Sequence, residues 1–326
     1  MPARITRRQA LMAIPAAAAL AGRAARAAGY PDRTITLVVP YTPGGGTDIA
    51  ARLVAPELQK ILKQTVVVVK KPGAGSIIGI EYVAHAAPDG YTLLFTAGDG
   101  MVIDPAMYKS LPYDTNRDFL PITDVVTFPL FVIVKGDSPI KTIKDLVAYI
   151  KAHPDKANYA SSSSVFWLAS ELFAQQAKLN ATRVQYKGAG NMVTAVLTGE
   201  VLFAIPSPPP VVGQAKAGAV RILATTAPHR LPAFPDVPTM AEAGVPGVTV
   251  VDWSGVWAPA GTSPEIVATL NKAVRQVLSM PEFAEKTARI NVTPAGASEA
   301  DFKKLITSEL AMWKGVAEKA HISLTR

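Results

Sequence analysis

Residues 36–52 read Thr36-Leu37-Val38-Val39-Pro40-Tyr41-Thr42-Pro43-Gly44-Gly45-Gly46-Thr47-Asp48-Ile49-Ala50-Ala51-Arg52. The pattern predicts a buried strand, a Pro/Gly turn and a helix in direct succession. Asp48 or Thr47 can cap that helix by accepting a hydrogen bond from a free backbone N–H group. The glycines leave the N–H groups of the turn uncovered, so a ligand can approach the backbone closely. Because these groups stand at the positive end of a helix dipole, the turn is a predicted site for a carboxylate or a phosphate.

The same turn lacks the lysine of a phosphate-binding P-loop, which would place Gly-Lys-Ser/Thr here. We therefore expect main-chain groups to hold the anion, with no side chain obviously available to react with it. A second glycine-rich segment, Gly73–Gly79, also lies between a predicted strand and a predicted helix. Its third glycine is one place too late for Gly-x-Gly-x-x-Gly, so a dinucleotide site is rejected. No cofactor is expected, and the segment is interpreted as a tight turn that could line a cleft.

The first 27 residues have the pattern of an export signal. Arg7-Arg8 precede an apolar run from Ala10 to Ala21, and Ala25-Arg26-Ala27 is a small-x-small cleavage site. The run around the two arginines resembles a twin-arginine signal; an ordinary secretory signal that happens to carry two arginines is the alternative. Either signal, cleaved near Ala27, predicts a periplasmic protein. No later segment is long and apolar enough to anchor it.

Composition excludes several classes of function. The 326-residue chain has a formal net charge of +8, and five arginines in residues 1–27 account for five of these charges. The remaining +3 is spread out, with no Lys/Arg run interleaved with aromatic residues, so no nucleic-acid partner is expected. The chain has no cysteine, which excludes disulfides and thiolate chemistry. Its four histidines lack metal-ligand spacing, so no metal site is expected.

Strand and helix patterns alternate along the rest of the chain and predict an α/β fold. Such alternation favours parallel sheets with helices on both faces. About 300 residues remain after the signal, which is enough for two such domains. Ligands then bind at the carboxyl ends of strands, where we place Thr42–Asp48, Thr96–Gly100 and Ser161–Ser164. The pattern also predicts two separate strands, Val248–Trp253 and Ser254–Ala258, and a helix that begins at Leu168.

Short motifs, specific in combination, run through the predicted mature chain. They are Pro40-Tyr41-Thr42-Pro43-Gly44-Gly45-Gly46-Thr47-Asp48 with Ala51-Arg52, Pro72-Gly73-Ala74-Gly75, Asp89-Gly90-Tyr91-Thr92-Leu93-Leu94, Leu111-Pro112-Tyr113-Asp114 with Asp118-Phe119, Tyr186-Lys187-Gly188, Asp236-Val237-Pro238-Thr239, and Ala258-Pro259-Ala260-Gly261-Thr262. With these motifs the chain resembles the substrate-binding receptors of tripartite tricarboxylate transporters, also called Bug receptors.

The resemblance implies a periplasmic binding protein of type II, with two doubly wound domains joined by a hinge. Domain I is expected to contain residues 28–124 and 247–326, and domain II residues 125–246. The connecting strands are expected near Thr123–Leu130 and Pro246–Asp252. We expect a monomer that closes around a small carboxylate and then meets the membrane components of a transporter.

The resemblance also implies that one loop from each domain holds the ligand. The carboxylate is expected on main-chain N–H groups around Pro43–Thr47, and the other end of the ligand on the second loop and the end of a neighbouring strand. The expected ligand-binding residues are Tyr41, Pro43, Gly44, Gly45, Gly46, Thr47, Asp48, Thr96, Ala97, Gly98, Ser161, Ser162, Ser163, Ser164 and Trp167.

The second loop departs from the family pattern, which is usually Gly-Ser-x-Gly-x-Gly-Ser followed by a histidine. Here four serines replace it, and Trp167 stands where the histidine is common. Phe166 and Trp167, if they face the cleft, favour an apolar or aromatic acid; core packing is the alternative. Asp104 replaces a usual asparagine. We interpret Asp99 and Asp104 as helix caps, and Asp252 as a hinge or structural residue.

The predicted function is therefore a non-enzymatic receptor for a dicarboxylate, a tricarboxylate or an aromatic acid that serves a tripartite tricarboxylate transporter. One alternative is a ligand sensor for a two-component system, with a sensor kinase as its partner. The other is a secreted hydrolase that uses a serine of Ser161–Ser164. The hydrolase is disfavoured because the loop lacks a Gly-x-Ser-x-Gly elbow and no paired base is evident.

Overall fold

The computed structural model describes residues 29–319 and residue 324. The predicted export signal, residues 1–27, lies outside the described residues. In chain order the strands are β1 (Ile35–Val39), β2 (Val66–Lys70), β3 (Thr92–Ala97), β4 (Phe119–Pro129), β5 (Phe131–Lys135), β6 (Asn158–Ser161), β7 (Thr182–Gln185), β8 (Phe203–Ala204), β9 (Val220–Thr225), β10 (Val251–Pro259) and β11 (Thr293–Pro294).

Helices alternate with these strands. They are α1 (Gly46–Leu62), α2 (Ile77–Ala84), α3 (Asp104–Met107), α4 (Thr115–Asp118), α5 (Ile143–Ala152), α6 (Ser164–Ala177), α7 (Ala189–Thr198), α8 (Pro209–Lys216), α9 (Pro264–Leu278), α10 (Pro281–Ala288) and α11 (Glu299–Lys319). A π-helical turn, Asp99–Ile103, joins β3 to α3.

The strands form two sheets, one of six strands in the order β11-β4-β10-β3-β1-β2 and one of five in the order β7-β6-β8-β5-β9. Three strands of each sheet are parallel, as predicted: β1 pairs with β2 and β3, and β6 pairs with β7 and β8. The expectation of purely parallel sheets is wrong. β10 runs antiparallel to β3 and β4, and β5 antiparallel to β8 and β9.

The antiparallel pairs arise where the chain passes between the sheets. β4 ends at Pro129 in the first sheet and β5 begins at Phe131 in the second, so Leu130 alone separates them. The chain returns after β9 and enters β10 at Val251. Both passages lie where the sequence placed connecting strands. The division into domains at residues 124 and 247 stays a prediction.

β10 is one continuous strand where the sequence predicted two. It pairs with β4 along its whole length, and its register shifts at Ser254/Gly255 and at Val256/Trp257. Gly255 lies under α11, because a Cβ atom on it would stand 2.7 Å from Cζ of Phe302. Gly255, which lies close to the predicted break between Trp253 and Ser254, is therefore a point of close packing between helix and sheet.

α11 is fixed to the first sheet by an aromatic cluster. Phe302 is fully buried, and its ring centroid lies 5.2 Å from those of both Trp253 and Trp257 on β10. Aromatic rings at this spacing contribute dispersion and quadrupole attraction in addition to the burial of apolar area. Among the described residues no helix combines the length and apolar character that a membrane crossing requires.

Removal of this ring tests the packing. We expect Phe302→Ala to lower the free energy of unfolding by about 3–5 kcal/mol, because it leaves a cavity between α11 and β10. Met312, on the same helix and 51% exposed, supplies the control: Met312→Ala should change stability by less than about 0.5 kcal/mol. Chemical denaturation measures both. Equal, small effects would show that α11 does not depend on the aromatic cluster.

Candidate ligand-binding site

A cavity of about 490 Å³ lies among the loops at the ends of both sheets. The first sheet contributes residues 40–47 after β1, the segment Pro72–Ser76 after β2, and residues at the ends of β3, β4 and β10. The second sheet contributes Ser162 and Ser163 after β6, residues 185–189 after β7, and Ser207 after β8. The cavity therefore occupies the position at which an α/β fold binds its ligands, at the ends of the strands.

The first turn of α1 presents backbone N–H groups to this cavity. Gly45 is the N-cap residue in an extended conformation, and no side chain caps the helix. The N–H groups of Gly45, Gly46 and Thr47 have no hydrogen-bond acceptor in the part of the chain that the structure describes. These groups are the unsatisfied donors that every helix N-terminus leaves. They stand at the positive end of a 17-residue helix, so they are suited to a carboxylate.

Asp48 stabilises this turn and does not line the cavity. Its Oδ2 accepts the N–H of Gly44 at 3.0 Å, and its Oδ1 lies 3.1 Å from Nε of Arg52 and 3.8 Å from Nζ of Lys70. Because the buried carboxylate has cationic partners on two sides, its charge is compensated within the protein. The N–H of Gly44, expected to be free for the ligand, is therefore already occupied.

Three helices of the second sheet also begin beside the cavity. α6 follows Ser163, α7 follows Gly188 and α8 follows Pro208, and none of the three has a side-chain cap within residues 29–319. Ser163, Gly188, Ala189 and Ser207 line the cavity next to these helix starts. Partial positive charge from several helices therefore converges on one enclosed volume, which favours an anion there.

Two buried carboxyl groups line another part of the same cavity. Oδ1 of Asp99 accepts the hydroxyl of Tyr41 at 2.6 Å and the N–H of Gly100 at 2.8 Å, and Oδ1 of Asp252 accepts the N–H of Trp253 at 2.9 Å. Burial raises the pKa of Asp99 above the usual aspartate range. Burial, and then the charge of Asp99, raise the pKa of Asp252 as well. Neither residue forms an ion pair with any described residue.

Asp104 lies just outside the cavity and contacts the second sheet's loop. Its Oδ1 accepts the hydroxyl of Ser164 in a short hydrogen bond. Burial, and then the charge of Asp99, raise the pKa of Asp104 to about 8. The two residues share an adjoining cleft with Trp167 and Arg183. Thus a carboxyl group carried by the first sheet holds a serine carried by the second.

Further contacts bring the two sides of the cavity together at Thr42 and Gly188. The Thr42 hydroxyl donates to the carbonyl of Lys187 at 3.4 Å. A Cβ atom on Gly188 would lie only 1.9 Å from Oγ1 of Thr42, and one on Gly45 would lie 3.9 Å from Cβ of Ala189. Loops of the first sheet therefore touch loops of the second across the cavity.

The structure brings part of the predicted site together. The predicted residues that line the cavity are Tyr41, Gly45, Gly46, Thr47, Ala97, Ser162 and Ser163. The predicted residues that lie behind or beside it are Pro43, Gly44, Asp48, Thr96, Gly98, Ser161, Ser164 and Trp167. Thr96 and Gly98 support the lining: the Thr96 hydroxyl is 3.2 Å from that of Tyr41, and Gly98 packs under the ring of Trp253.

The two aromatic residues at the start of α6 divide between the two interpretations. Phe166 lines the cavity. Trp167 points to a neighbouring surface, where its Nε1 donates to Glu171 at 3.2 Å and the Arg183 guanidinium lies 4.2 Å from its ring centroid. The helix begins at Ser164, four residues before the predicted start, which places consecutive residues on different sides of it.

The interpretation of Asp99 and Asp104 as helix caps is wrong. The helical segments that begin at these residues have Gly98 and Ile103 at the N-cap position, and neither has a side-chain cap. Sequence reasoning also missed Ser207 and Phe128 in the lining. The segments that contain them have no polar or glycine-rich motif that could have indicated a site. Asp99 had one signal, which is its position just after the end of a predicted strand. No group of three His, Cys, Asp or Glu residues suited to a metal occurs in the described residues.

Two mixed sheets with a ligand-sized cavity between their loops define a two-domain solute-binding protein of the periplasmic type. The family profile described as "Tripartite tricarboxylate transporter family receptor" matches residues 50–322. Protein BugT of Bordetella pertussis is 34% identical over 298 residues, which cover 90% of this chain and 91% of BugT. The chain therefore belongs to the tripartite tricarboxylate transporter receptor family, as its motifs indicated.

Solved structures agree with this assignment. The R. palustris protein Rpa4515, solved with adipate, is 34% identical with a TM-score of 0.87, and the match covers 91% of this chain and 100% of that one. MatC (Rpa3494) from Rhodopseudomonas palustris, solved with bound malate, is 31% identical with a TM-score of 0.84, and covers 88% and 99%. These similarities confirm the predicted α/β, periplasmic-binding-protein fold.

The raised pKa of Asp104 predicts how stability depends on pH. Because this pKa is about 8 in the folded protein and about 4 in the unfolded chain, the folded state retains a proton that the unfolded chain has released. The stabilisation is complete below about pH 4 and is lost as the pH rises towards 8. We expect the Tm to fall between pH 5 and pH 8, and Asp104→Asn to reduce this slope.

The side chain of Asn has the shape of the protonated acid, and it cannot be deprotonated to a charged form. At pH 8 the Tm of Asp104→Asn should therefore exceed that of the unchanged protein, by about 2–4 °C for each kcal/mol gained. The exposed Asp155 gives the control, since Asp155→Asn should leave the slope as it is. A slope that is the same in Asp104→Asn and the unchanged protein would refute the assignment.

Proposed function

We propose that this protein is a non-enzymatic receptor that is exported to the periplasm, binds a small carboxylate in the cavity and delivers it to the membrane components of a tripartite tricarboxylate transporter. The observation that carries this proposal is the row of N–H groups at Gly45, Gly46 and Thr47, which face the cavity without acceptors among the described residues. A carboxylate supplies the acceptors that these groups lack.

The size and lining of the cavity support a small organic acid. Its volume is within the range of pockets that enclose small molecules, about 300–1,000 Å³. Phe128, Phe166 and Tyr41 provide apolar surface beside the N–H groups. The related proteins Rpa4515 and MatC were solved with adipate and malate, which are acids of this size class.

Hydrolysis by a serine of the second loop has no support in the geometry. The Ser161 hydroxyl donates to the carbonyl of Ser163, and the Ser164 hydroxyl donates to Asp104. None of the described histidines lines the cavity, so no imidazole among them can act as a base there. A sensory role would use the same cavity, and no observation favours it over transport.

Replacement of Gly46 tests whether backbone N–H groups bind the carboxylate. Gly46→Pro removes one N–H at the first helical position, where proline fits a helix. Gly46→Ala is the matched control, because both variants add a Cβ atom at 3.2 Å from Oγ of Ser207 and only the proline removes the donor. We expect Gly46→Pro to weaken binding about 10–100-fold more than Gly46→Ala does, since a hydrogen bond to a charged group contributes about 1.5–3 kcal/mol.

The solute for this measurement comes from a thermal-shift screen with dicarboxylates, tricarboxylates and aromatic acids, followed by calorimetric titration. Stabilisation should increase with solute concentration. Stabilisation by neutral sugars or simple amines alone would contradict the proposal. Equal affinities for Gly46→Pro and Gly46→Ala would show that the N–H of Gly46 takes no part in binding.

Closure of the receptor is tested at the contact between Gly188 and Thr42. Gly188 has an extended conformation that any residue adopts, so Gly188→Ala adds only the close contact with Oγ1 of Thr42. Overpacking of this kind costs about 1–3 kcal/mol, and affinity should fall about 5–150-fold. The double variant with Thr42→Ala removes Oγ1 and should recover most of the loss. A loss that the second substitution leaves unchanged would refute closure through this contact.

A further inference from the structure

The polar groups that line the cavity are of two opposite kinds. One kind is the N–H groups of Gly45, Gly46 and Thr47, which stand beside the helix starts of the second sheet. The other kind is the carboxyl groups of Asp99 and Asp252, which stand at the ends of β3 and β10. An anion satisfies only the first kind, so the second kind requires its own explanation.

The carboxyl groups are buried and without a cation. Asp99 is 1% exposed and Asp252 is 5% exposed. No Lys, Arg or His of residues 29–319 forms an ion pair with either of them, and the hydrogen-bond donors of Asp99 (the hydroxyls of Tyr41 and Ser163 and the N–H of Gly100) are all uncharged. Buried carboxyl groups in proteins are ordinarily paired, because removal of an isolated charge from water is expensive. Asp48, which is buried behind the first turn of α1, has the pairing that these two lack.

Lysine 187 does not fill this role. It is the one basic side chain among the described residues that line the cavity, and its own carbonyl is held by Thr42 at the rim. The Lys187 residue is exposed. When the two carboxyl groups are ionised, their cation therefore has to come from the solute.

Two serine hydroxyls give an independent indication that solute atoms belong here. Oγ of Ser76 and Oγ of Ser207 line the cavity, are buried, and have no hydrogen-bond partner in the described chain. Each residue is 1% exposed. Buried hydroxyl groups normally have a partner, so both groups are available to a bound solute.

We infer that the solute is a carboxylic acid that also carries a protonated nitrogen, with its carboxylate on the N–H groups of Gly45–Thr47 and its nitrogen at the carboxyl groups of Asp99 and Asp252. This inference rests on the proposed function and narrows its substrate class. A plain dicarboxylate would place a second negative group beside two acidic side chains, which is unfavourable in an enclosed site. An ammonium group instead supplies donors and the missing positive charge.

The competing arrangement keeps both aspartates protonated, so that they donate hydrogen bonds to a second carboxylate of the solute. Burial, which raises the pKa of both groups, is compatible with this arrangement. The two arrangements differ in their response to Asn, which imitates a protonated aspartate in shape and as a donor but cannot carry a negative charge.

Matched pairs of solutes decide the question on the unaltered protein. We would titrate adipate against 6-aminohexanoate, malate against aspartate, and terephthalate against 4-(aminomethyl)benzoate by calorimetry. In each pair the second solute carries a nitrogen group where the first carries a carboxylate or a hydroxyl group. In the pair that binds most tightly, we expect the affinity of the nitrogen-bearing member to exceed that of its partner by about tenfold or more.

Asp99→Asn and Asp252→Asn then locate the effect. Each should weaken the nitrogen-bearing solute about tenfold or more and strengthen binding of the nitrogen-free dicarboxylate, because the substitution removes a negative charge from beside its second carboxylate. Asp155→Asn, which removes an exposed charge far from the lining, controls for the change in net charge and should alter neither affinity.

Tighter binding of the nitrogen-free acids would overturn the inference and leave the proposed function intact, and retention of that binding in the Asn variants would establish the protonated arrangement. Binding of no acid in any pair, and no stabilisation by other carboxylates, would overturn the proposed function and this inference together. The solute comparison needs no variant, so the test stands even where an Asn variant fails to fold.

Discussion

The site depends on backbone N–H groups that the chain leaves without acceptors at the start of α1. Gly45 has no side chain to cap the helix, and Asp48, which could do so, is directed to Gly44, Arg52 and Lys70. The donors of Gly45, Gly46 and Thr47 are consequently free and point into an enclosed volume. A helix start that is capped by its own residues would stabilise the fold more and would bind nothing.

The rest of the architecture keeps those donors enclosed. The turn follows β1, and the pairing of β1 with β2 and β3 fixes the position of the turn at the carboxyl ends of these parallel strands. β4 and β10 run into the region between the sheets, and the passage through Leu130 leaves little slack between β4 and β5. The contacts of Thr42 with Lys187 and of Ser164 with Asp104 close the two sides over the cavity. The cavity therefore belongs to neither sheet alone.

The sequence was sufficient for the main-chain part of the site and insufficient for the side-chain part. The Pro/Gly turn at 42–48 is a local signal, so its position at the strand end and the start of α1 were both predictable. Asp99, Asp252 and Ser207 come together only because the ends of β3 and β8 and the start of β10 meet at one place, and no single segment of the sequence determines strand order. Trp167 was expected in the cleft because it stands where the family commonly has a histidine, but the helix starts at Ser164 and turns that side chain away. The antiparallel course of β10 was missed for the same reason, since a strand's direction is set by its partners.

The free N–H groups of the turn have a consequence for how such receptors diversify. An amide proton is present whatever residue occupies the position, proline excepted, so substitution weakens the hold on the anion only where an added side chain crowds the turn, as at Gly46 beside Ser207 and Phe128. Positions 99, 207 and 252 contribute through their side chains, which substitution can change while the N–H groups remain. Half of the recognition surface is thus held constant by covalent structure while the other half is free to drift. A lineage that retains this scaffold can acquire a new nutrient by exchanging a few residues on one wall, and a designer of biosensors can use the same division.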